Sequence, residues 1–364
     1  MKKVWLLIIF LLIAINVSVQ MTVSGILDST ISMTAGAAGS SDFTCGFEEF
    51  ANIRFHSRLR DNRGTVYGAV NLIAAAGDYA VRAASSYTEG ENYIAAIELE
   101  RLYFRLSGEH TNFDAGLFRL PFGFGQVFGP SDYLNPRNPL KPDARPRGIL
   151  GNALTWFPND DVKLLIFYSA PRNPFSNEGK GAILGLSMDR HWEKTSIQTL
   201  YSFEMPDTFS EYGIHRAGLS LKADIEIGFV IDTLYTYNHE AGTEIDGLSF
   251  SAGLDYSFLD GNLIVLTEYL YNGETSSTAF CLEKNILGFP NRHYIYTGLT
   301  WRFNDFTNLS AALVTSFEDS SYTPIITLNH DLFQGAVLTV SVQAPFDNNS
   351  FYGILSNVRI RLRF

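Results

Sequence analysis

The chain has 364 residues, with 38 Asp and Glu against 27 Lys and Arg, a formal net charge of −11. That balance argues against nucleic acid as a partner. Apolar residues make up 46% and aromatics 14%, but charged residues only 18%, below the roughly 25% of soluble domains. After the first twenty residues no apolar run reaches the ~18 residues of a membrane helix.

Met1-Lys2-Lys3 is a short basic segment, and Val4 to Val19 is an apolar run broken only by Asn16 and Ser18. The run is shorter than the ~20 residues a spanning helix wants and fits a secretory leader. Cleavage is expected near residue 20, with Ser18 and Gln20 at the −3 and −1 positions, leaving residues 21–364 as one domain. The first cysteine after the run is Cys45, so a lipid-anchored N-terminus is not expected.

From residue 22 the chain alternates apolar and polar side chains in stretches of about ten residues, the length of a tilted membrane strand. The first sets Leu27, Ser29, Ile31 and Met33 against Asp28, Thr30, Ser32 and Thr34. The clearest is Ile53–Arg60, with Ile53, Phe55 and Leu59 on one face and Arg54, His56, Arg58 and Arg60 on the other. A Lys or Arg on a lipid face costs about 2–4 kcal/mol at the midplane, so the arginine face is expected to line a wet lumen. Between Tyr79 and Leu106 the alternation changes phase near Arg101, and Leu263–Tyr271 is apolar on both faces.

Tight turns fall at 61–64, 158–161, 259–262 and 304–307, where Asn, Asp and Gly supply hairpin conformations. Between them lie longer polar segments at 35–47, 77–92, 121–148, 171–181, 206–213, 239–247, 273–291 and 345–350. Short and long connections alternate, as periplasmic turns and extracellular loops do in a transmembrane barrel. About seventeen strands follow Phe50, and the 25–34 strand makes an even number. The expected fold is all-β: an antiparallel up-and-down barrel of 16–18 strands with both termini periplasmic. Tyr235, Tyr237, Trp301 and Phe303 sit at strand ends, where an aromatic girdle belongs. Cys45 and Cys281 are expected in surface loops, and their spacing does not decide whether they pair.

Six of the 13 prolines fall between Pro121 and Pro146, a density that excludes ladder pairing. This longest connection, 121–148, carries Phe122, Phe124, Phe128 and Tyr133, enough apolar surface to fold against something. It either turns inward to constrict a channel, with Asp132, Arg137, Lys141, Asp143 and Arg145 as its charged residues, or forms an external lid. Arg119 just before it, and Gly123, Gly125, Pro130, Asp132, Asn135 and Pro136 within it, resemble a pattern of porin-like outer-membrane barrels. That family often has Gly-Arg where this chain has Phe118-Arg119, and Trp-Gly where it has Phe122-Gly123. The resemblance spans about 20 residues and implies a channel without naming a solute.

At the C-terminus, Val358, Ile360, Leu362 and Phe364 alternate with Arg359, Arg361 and Arg363. A final alternating strand ending in Phe resembles the signal read by the bacterial barrel-assembly machinery. The resemblance implies periplasmic chaperones, that machinery and outer-membrane lipids as partners, and the cell outer membrane as location. In a closed sheet Arg359–Arg363 would lie near Asp28. Arg54, His56, Arg58, Arg60, Arg105, Arg119, Arg292, Arg302, Arg359, Arg361 and Arg363 are the expected pore-lining residues. A basic wall favours anions, unless these arginines are spent on carboxylates such as Glu98, Glu100 or Asp255.

The expected function is passive diffusion of small hydrophilic solutes with a weak anion preference, with a homo-oligomer among the expected assemblies. The alternatives are a substrate-selective transporter, with Tyr294 and Tyr296 guiding sugars or with hydrophobic cargo, and a surface adhesin. No cofactor, metal or catalytic residue is expected. The histidines lack ligand spacing, no nucleophile elbow or phosphate loop appears, and Ser251, Asp255 and His215 are a chance combination.

Overall fold

The computed structural model describes residues 18–36, 43–59, 63–77, 92–135, 148–170, 181–206, 213–238, 247–273, 291–347 and 350–364. The strands are β1 (Ser18–Gly36), β2 (Phe43–Leu59), β3 (Gly64–Ala76), β4 (Tyr93–Ser107), β5 (Thr111–Phe118), β6 (Ile149–Asn159), β7 (Val162–Ser169), β8 (Ile183–Trp192), β9 (Thr195–Glu204) and β10 (Ile214–Asp224). They continue with β11 (Gly228–Asn238), β12 (Leu248–Phe258), β13 (Leu263–Tyr271), β14 (His293–Asn304), β15 (Thr307–Ser316), β16 (Tyr322–Phe333) and β17 (Ala336–Gln343). A two-residue hairpin, β18 (Phe346–Asp347) and β19 (Ser350–Phe351), precedes the last strand, β20 (Gly353–Arg363).

Leaving that hairpin aside, 18 antiparallel strands pair in sequence and close on themselves. Closure removes every open edge, which is what lets a sheet stand in hydrocarbon. No helix among the described residues is long and apolar enough to cross a membrane. Strand β1 begins at Ser18, two residues before the expected end of the leader, and residues 1–17 lie outside the described set.

The seam pairs β1 with β20 from Ile26↔Arg363 to Gly36↔Gly353. One step further, Gly25 N–H donates to the Phe364 carbonyl at 2.8 Å, and Phe364 N–H donates back to Gly25 at 3.1 Å. The Phe364 ring occupies the space where a β-carbon on Gly25 would stand. A glycine is therefore required there by the close approach of the terminal aromatic.

Side-chain alternation gives the wall two faces. Leu27, Ile31, Met33, Ile97, Leu154, Ile166, Leu186, Leu219 and Leu254 are among the outward residues that remain exposed. Soluble proteins rarely leave such large apolar patches uncovered; lipid is the medium that suits a continuous belt of this kind. At the short-turn end it is rimmed by Trp156, Trp192, Phe258, Trp301, Phe303, Phe306, Phe333 and Phe364, and at the long-loop end by Phe43, Tyr93, Phe317 and Tyr352.

Several sequence expectations are corrected. The first loop is shorter than 35–47, because β1 runs to Gly36 and β2 starts at Phe43. Cys45 is consequently on strand β2, exposed on its outer face, rather than in a loop; Cys281 is outside the described residues. The phase change in β4 is a bulge. Ala69 pairs with Arg101 and Val70 with Leu99, so Glu100 is the extra residue and both Glu100 and Arg101 turn inward.

Candidate functional site

The described part of the long loop, through Asn135, folds into the barrel. From Leu120 to Asn135 it crosses the lumen and lies against the inner wall, and residues 127–135 are buried. The external-lid reading is thereby set aside for this stretch. Two packing clusters hold it. Phe118, Phe122, Tyr133 and Leu134 pack with Ile149, Ala153, Leu165, Phe167, Leu200 and Leu234 on β6, β7, β9 and β11. Val127 and Phe128 pack with Leu270, Tyr294 and Val314 on β13 to β15. Burying side chains of this size contributes about 1.5–3 kcal/mol each.

Carboxylates on the wall fasten the loop backbone. Glu268, 1% exposed, accepts the N–H groups of Gln126 at 3.1 Å, Val127 at 2.9 Å and Phe128 at 2.9 Å. Asp232, fully buried, accepts from the Ser131 hydroxyl, from the Ser131 N–H at 3.4 Å and from the Ser220 hydroxyl. Gln198 accepts the Gly123 N–H, and the Gln126 amide donates to Asp255 at 2.8 Å. Gly123 has φ +79, and a β-carbon there would strike Ser131 and the Asp232 carboxylate; both facts demand glycine.

The residues of the Pro-x-Asp-x-x-Asn-Pro pattern stitch the loop to itself. Asp132 accepts the Phe122 N–H at 3.2 Å, and the Asn135 side chain donates to the Leu120 carbonyl at 2.9 Å. Two backbone bonds, Asp132 to Gly129 and Asn135 to Asp132, tighten the turn. Asp132 is thus 3% exposed and committed inside the loop, so its role is to shape the loop. Arg137, Lys141, Asp143 and Arg145 are outside the described residues. Tyr133 donates to Ser202 at 2.7 Å and lies under the Arg216 guanidinium, 5.0 Å from the ring centre. Burial pushes the Tyr133 phenol up, against the opposing pull of Arg216, and keeps it a donor.

The loop therefore covers the acidic side of the lumen: Asp232, Asp255 and Glu268 lie beneath it. The remaining inner wall, from β16 through β20 to β5, is rich in arginine, interspersed with the inward carboxylates Asp28, Glu48, Glu98, Glu100 and Asp114. Arg54, His56 and Arg58 share the inner face of β2, and Arg359, Arg361 and Arg363 that of β20. Arg60 is outside the described residues. Many of these cations have partners. Arg361 grips Asp28 through two bonds of 2.7 and 2.6 Å, as the proximity expected at the seam requires. Arg105 grips Asp114 at 2.6 and 2.8 Å. Glu100 accepts from Arg101 at 3.1 Å and Arg119 at 2.9 Å, and its second oxygen accepts from Asn52 at 2.6 Å. Arg216, on the covered side, pairs with Glu204 at 2.6 Å. The carboxylates that hold these arginines are thus Asp28, Asp114, Glu204 and, of the three expected, Glu100, while Asp255 accepts from Gln126.

Other expectations fall differently. Tyr294 is 4% exposed beneath Phe128, and so is packing rather than a guide for solutes. His215 is on the outer face, bonded to the Tyr201 hydroxyl at 2.8 Å, while Ser251 and Asp255 point inward, which rules out that trio. No group of three or more metal-ligating side chains occurs among the described residues. Sequence reasoning missed Glu268 and Asp232, although the signal was present: Glu268 stands between inward Leu266 and Leu270 on a strand apolar on both faces.

No family model and no curated protein matches the sequence. Solved structures do. The chain is similar to Pseudomonas aeruginosa OccK9 (OpdG) at 11% identity and TM-score 0.64, over 95% of this chain and 99% of that one. It is similar to the outer membrane protein opdK of Pseudomonas aeruginosa at 8% identity and TM-score 0.61, over 95% and 98%. A BenF-like porin from Pseudomonas fluorescens Pf-5 aligns at 8% identity and TM-score 0.60, over 96% and 100%. At these identities the likeness shows the fold, a closed antiparallel barrel of porin architecture.

Proposed function

We propose that the protein is an outer-membrane, porin-like channel for passive diffusion of small hydrophilic solutes, constricted by the inward part of the 121–148 loop. The observation that carries this reading is where the loop docks. It fills the lumen against β6–β15 and leaves the wall from β16 through β20 to β5 as the open side. A leader over residues 1–20, cleaved on export, fits that location. Val358, Ile360, Leu362 and Phe364, outward on β20, are the strip offered to the assembly machinery.

A weak anion preference follows from the same geometry. The loop's N–H groups answer Glu268 and Asp232, so that carboxylate charge faces the loop. Arg54, Arg58, Arg359, Arg361 and Arg363 line the open side together with His56. In a narrow passage with low-dielectric walls such a bias favours anions. The test is the reversal potential of the protein in a planar bilayer under a potassium chloride gradient. Its sign is expected to follow chloride, and the Arg54→Ala/Arg58→Ala/Arg363→Ala variant is expected to move it toward the potassium side. A reversal potential set by potassium in the unmodified protein contradicts the anion preference.

A further inference from the structure

Among the described residues, the outer face carries one carboxylate inside its apolar belt. Glu49 pairs across β1–β2 with Ser29, and the rows on either side are Ile31↔Phe47 and Leu27↔Ala51, all outward. Its carboxylate accepts the Ser29 hydroxyl at 2.9 Å. Along the same row the next strands contribute Ala74 on β3 and Ala95 on β4. With Ala51, these make a floor of small side chains. Tyr93, 76% exposed, and Ile97, 74% exposed, stand beside it as the proudest residues of that wall. Among the outward strand positions of the described residues, the other fixed charge is Arg190. It lies at the short-turn rim, over the Trp192 ring at 4.7 Å, where charge is cheap.

A charged group held toward hydrocarbon is costly and marks a site. Lipid tails offer no donor, and in membranes small residues with a polar group are how protein surfaces associate. The complementary group is on the chain itself. Asn152 is exposed and outward on β6, flanked by exposed Leu150 and Leu154. It is the one side-chain amide within the belt among the described residues, and forms no side-chain hydrogen bond there. We infer that the Glu49 face of one copy of this chain docks on the Asn152 face of a second copy, with the amide donating to the carboxylate.

The contact is head-to-tail, so it propagates into a ring or an open chain. From β2 to β6 is four strands of 18, roughly 80° around the barrel at about 20° per strand. Two contact directions diverge by about 60° in a ring of three and about 90° in a ring of four. The spacing therefore suits a small closed ring. The inference rests on the membrane placement of the outer face proposed above.

The experiment uses full-length protein in outer-membrane vesicles, with Cys45→Ser and Cys281→Ser removing the native thiols. Glu49→Cys together with Asn152→Cys is expected to give covalent dimers and higher multiples on mild oxidation, while either cysteine alone gives none. Dimers from Glu49→Cys alone would show a face-to-face contact and overturn the pairing. Cross-links only to other proteins, or none in barrels that migrate as folded on unheated gels, would overturn a self-partner. Loss of the folded band or of the membrane fraction in the unmodified chain would count instead against the barrel reading. Should the cysteine variants fold poorly, Glu49→Leu is expected to abolish the oligomer band without lowering barrel heat resistance. An unchanged oligomer, or no oligomer in the native chain, would contradict the proposal.

Discussion

Glu268→Ala is expected to free the inward loop and raise single-channel conductance, with added current noise as the loop moves. Three backbone N–H groups share that carboxylate. Each bond to a charged acceptor is worth about 1.5–3 kcal/mol, and each donor left unanswered costs about 1–3 kcal/mol. Water entering the lumen recovers part of this, so a net loss of about 3–5 kcal/mol of loop anchoring is expected. Phe128 would also lose its fixed seat beside Leu270. Glu268→Gln keeps one acceptor oxygen and aims an amide N–H at donors, so an intermediate effect is expected. Current recordings, with protease cleavage between 121 and 148 as a second readout, check this. Unchanged conductance and an uncut loop in Glu268→Ala would mean that the apolar clusters alone hold the segment.

Arg361→Ala is expected to weaken the seam. Asp28 is 5% exposed and receives both guanidinium bonds across the β1–β20 junction. Removing the arginine leaves a buried carboxylate without its counter-charge. Breaking a buried pair this way costs about 3–5 kcal/mol, and the wet lumen favours the low end. The midpoint of urea or heat unfolding, read by the gel shift between folded and unfolded barrel, should fall accordingly. The Asp28→Ala/Arg361→Ala double variant should recover part of the loss, because no orphaned charge remains. A double variant no more stable than the single one would locate the effect in side-chain packing.

How much of this was legible in the sequence depended on what each strand face meets. In β2 one face meets lipid and the other water, so Ile53 and Phe55 separate cleanly from Arg54, His56 and Arg58. The bulge at Glu100 announced itself as a phase change at Arg101. Strand β13 did not read as alternating because Leu266 and Leu270 point inward onto the buried loop, a long-range contact that local periodicity does not carry. For the same reason Glu268 was missed. The proline-rich segment was legible as a loop, but its direction was not. That direction is fixed by Glu268, Asp232 and Gln198, each more than 70 residues away in sequence. The arginines were legible as an inner stripe. Closure of the sheet already brought Arg359–Arg363 near Asp28, while the choice of Arg361 and the pairing of Arg105 with Asp114 emerged only from register.

The most direct test of an open channel narrowed by its own loop is single-channel recording of the unmodified protein, refolded and inserted into a planar bilayer. Discrete, long-lived conductance steps at low voltage are predicted, with the open current set by the passage beside the arginine-rich wall. A folded, membrane-inserted barrel that passes no current would contradict the channel and favour a plugged or purely adhesive barrel.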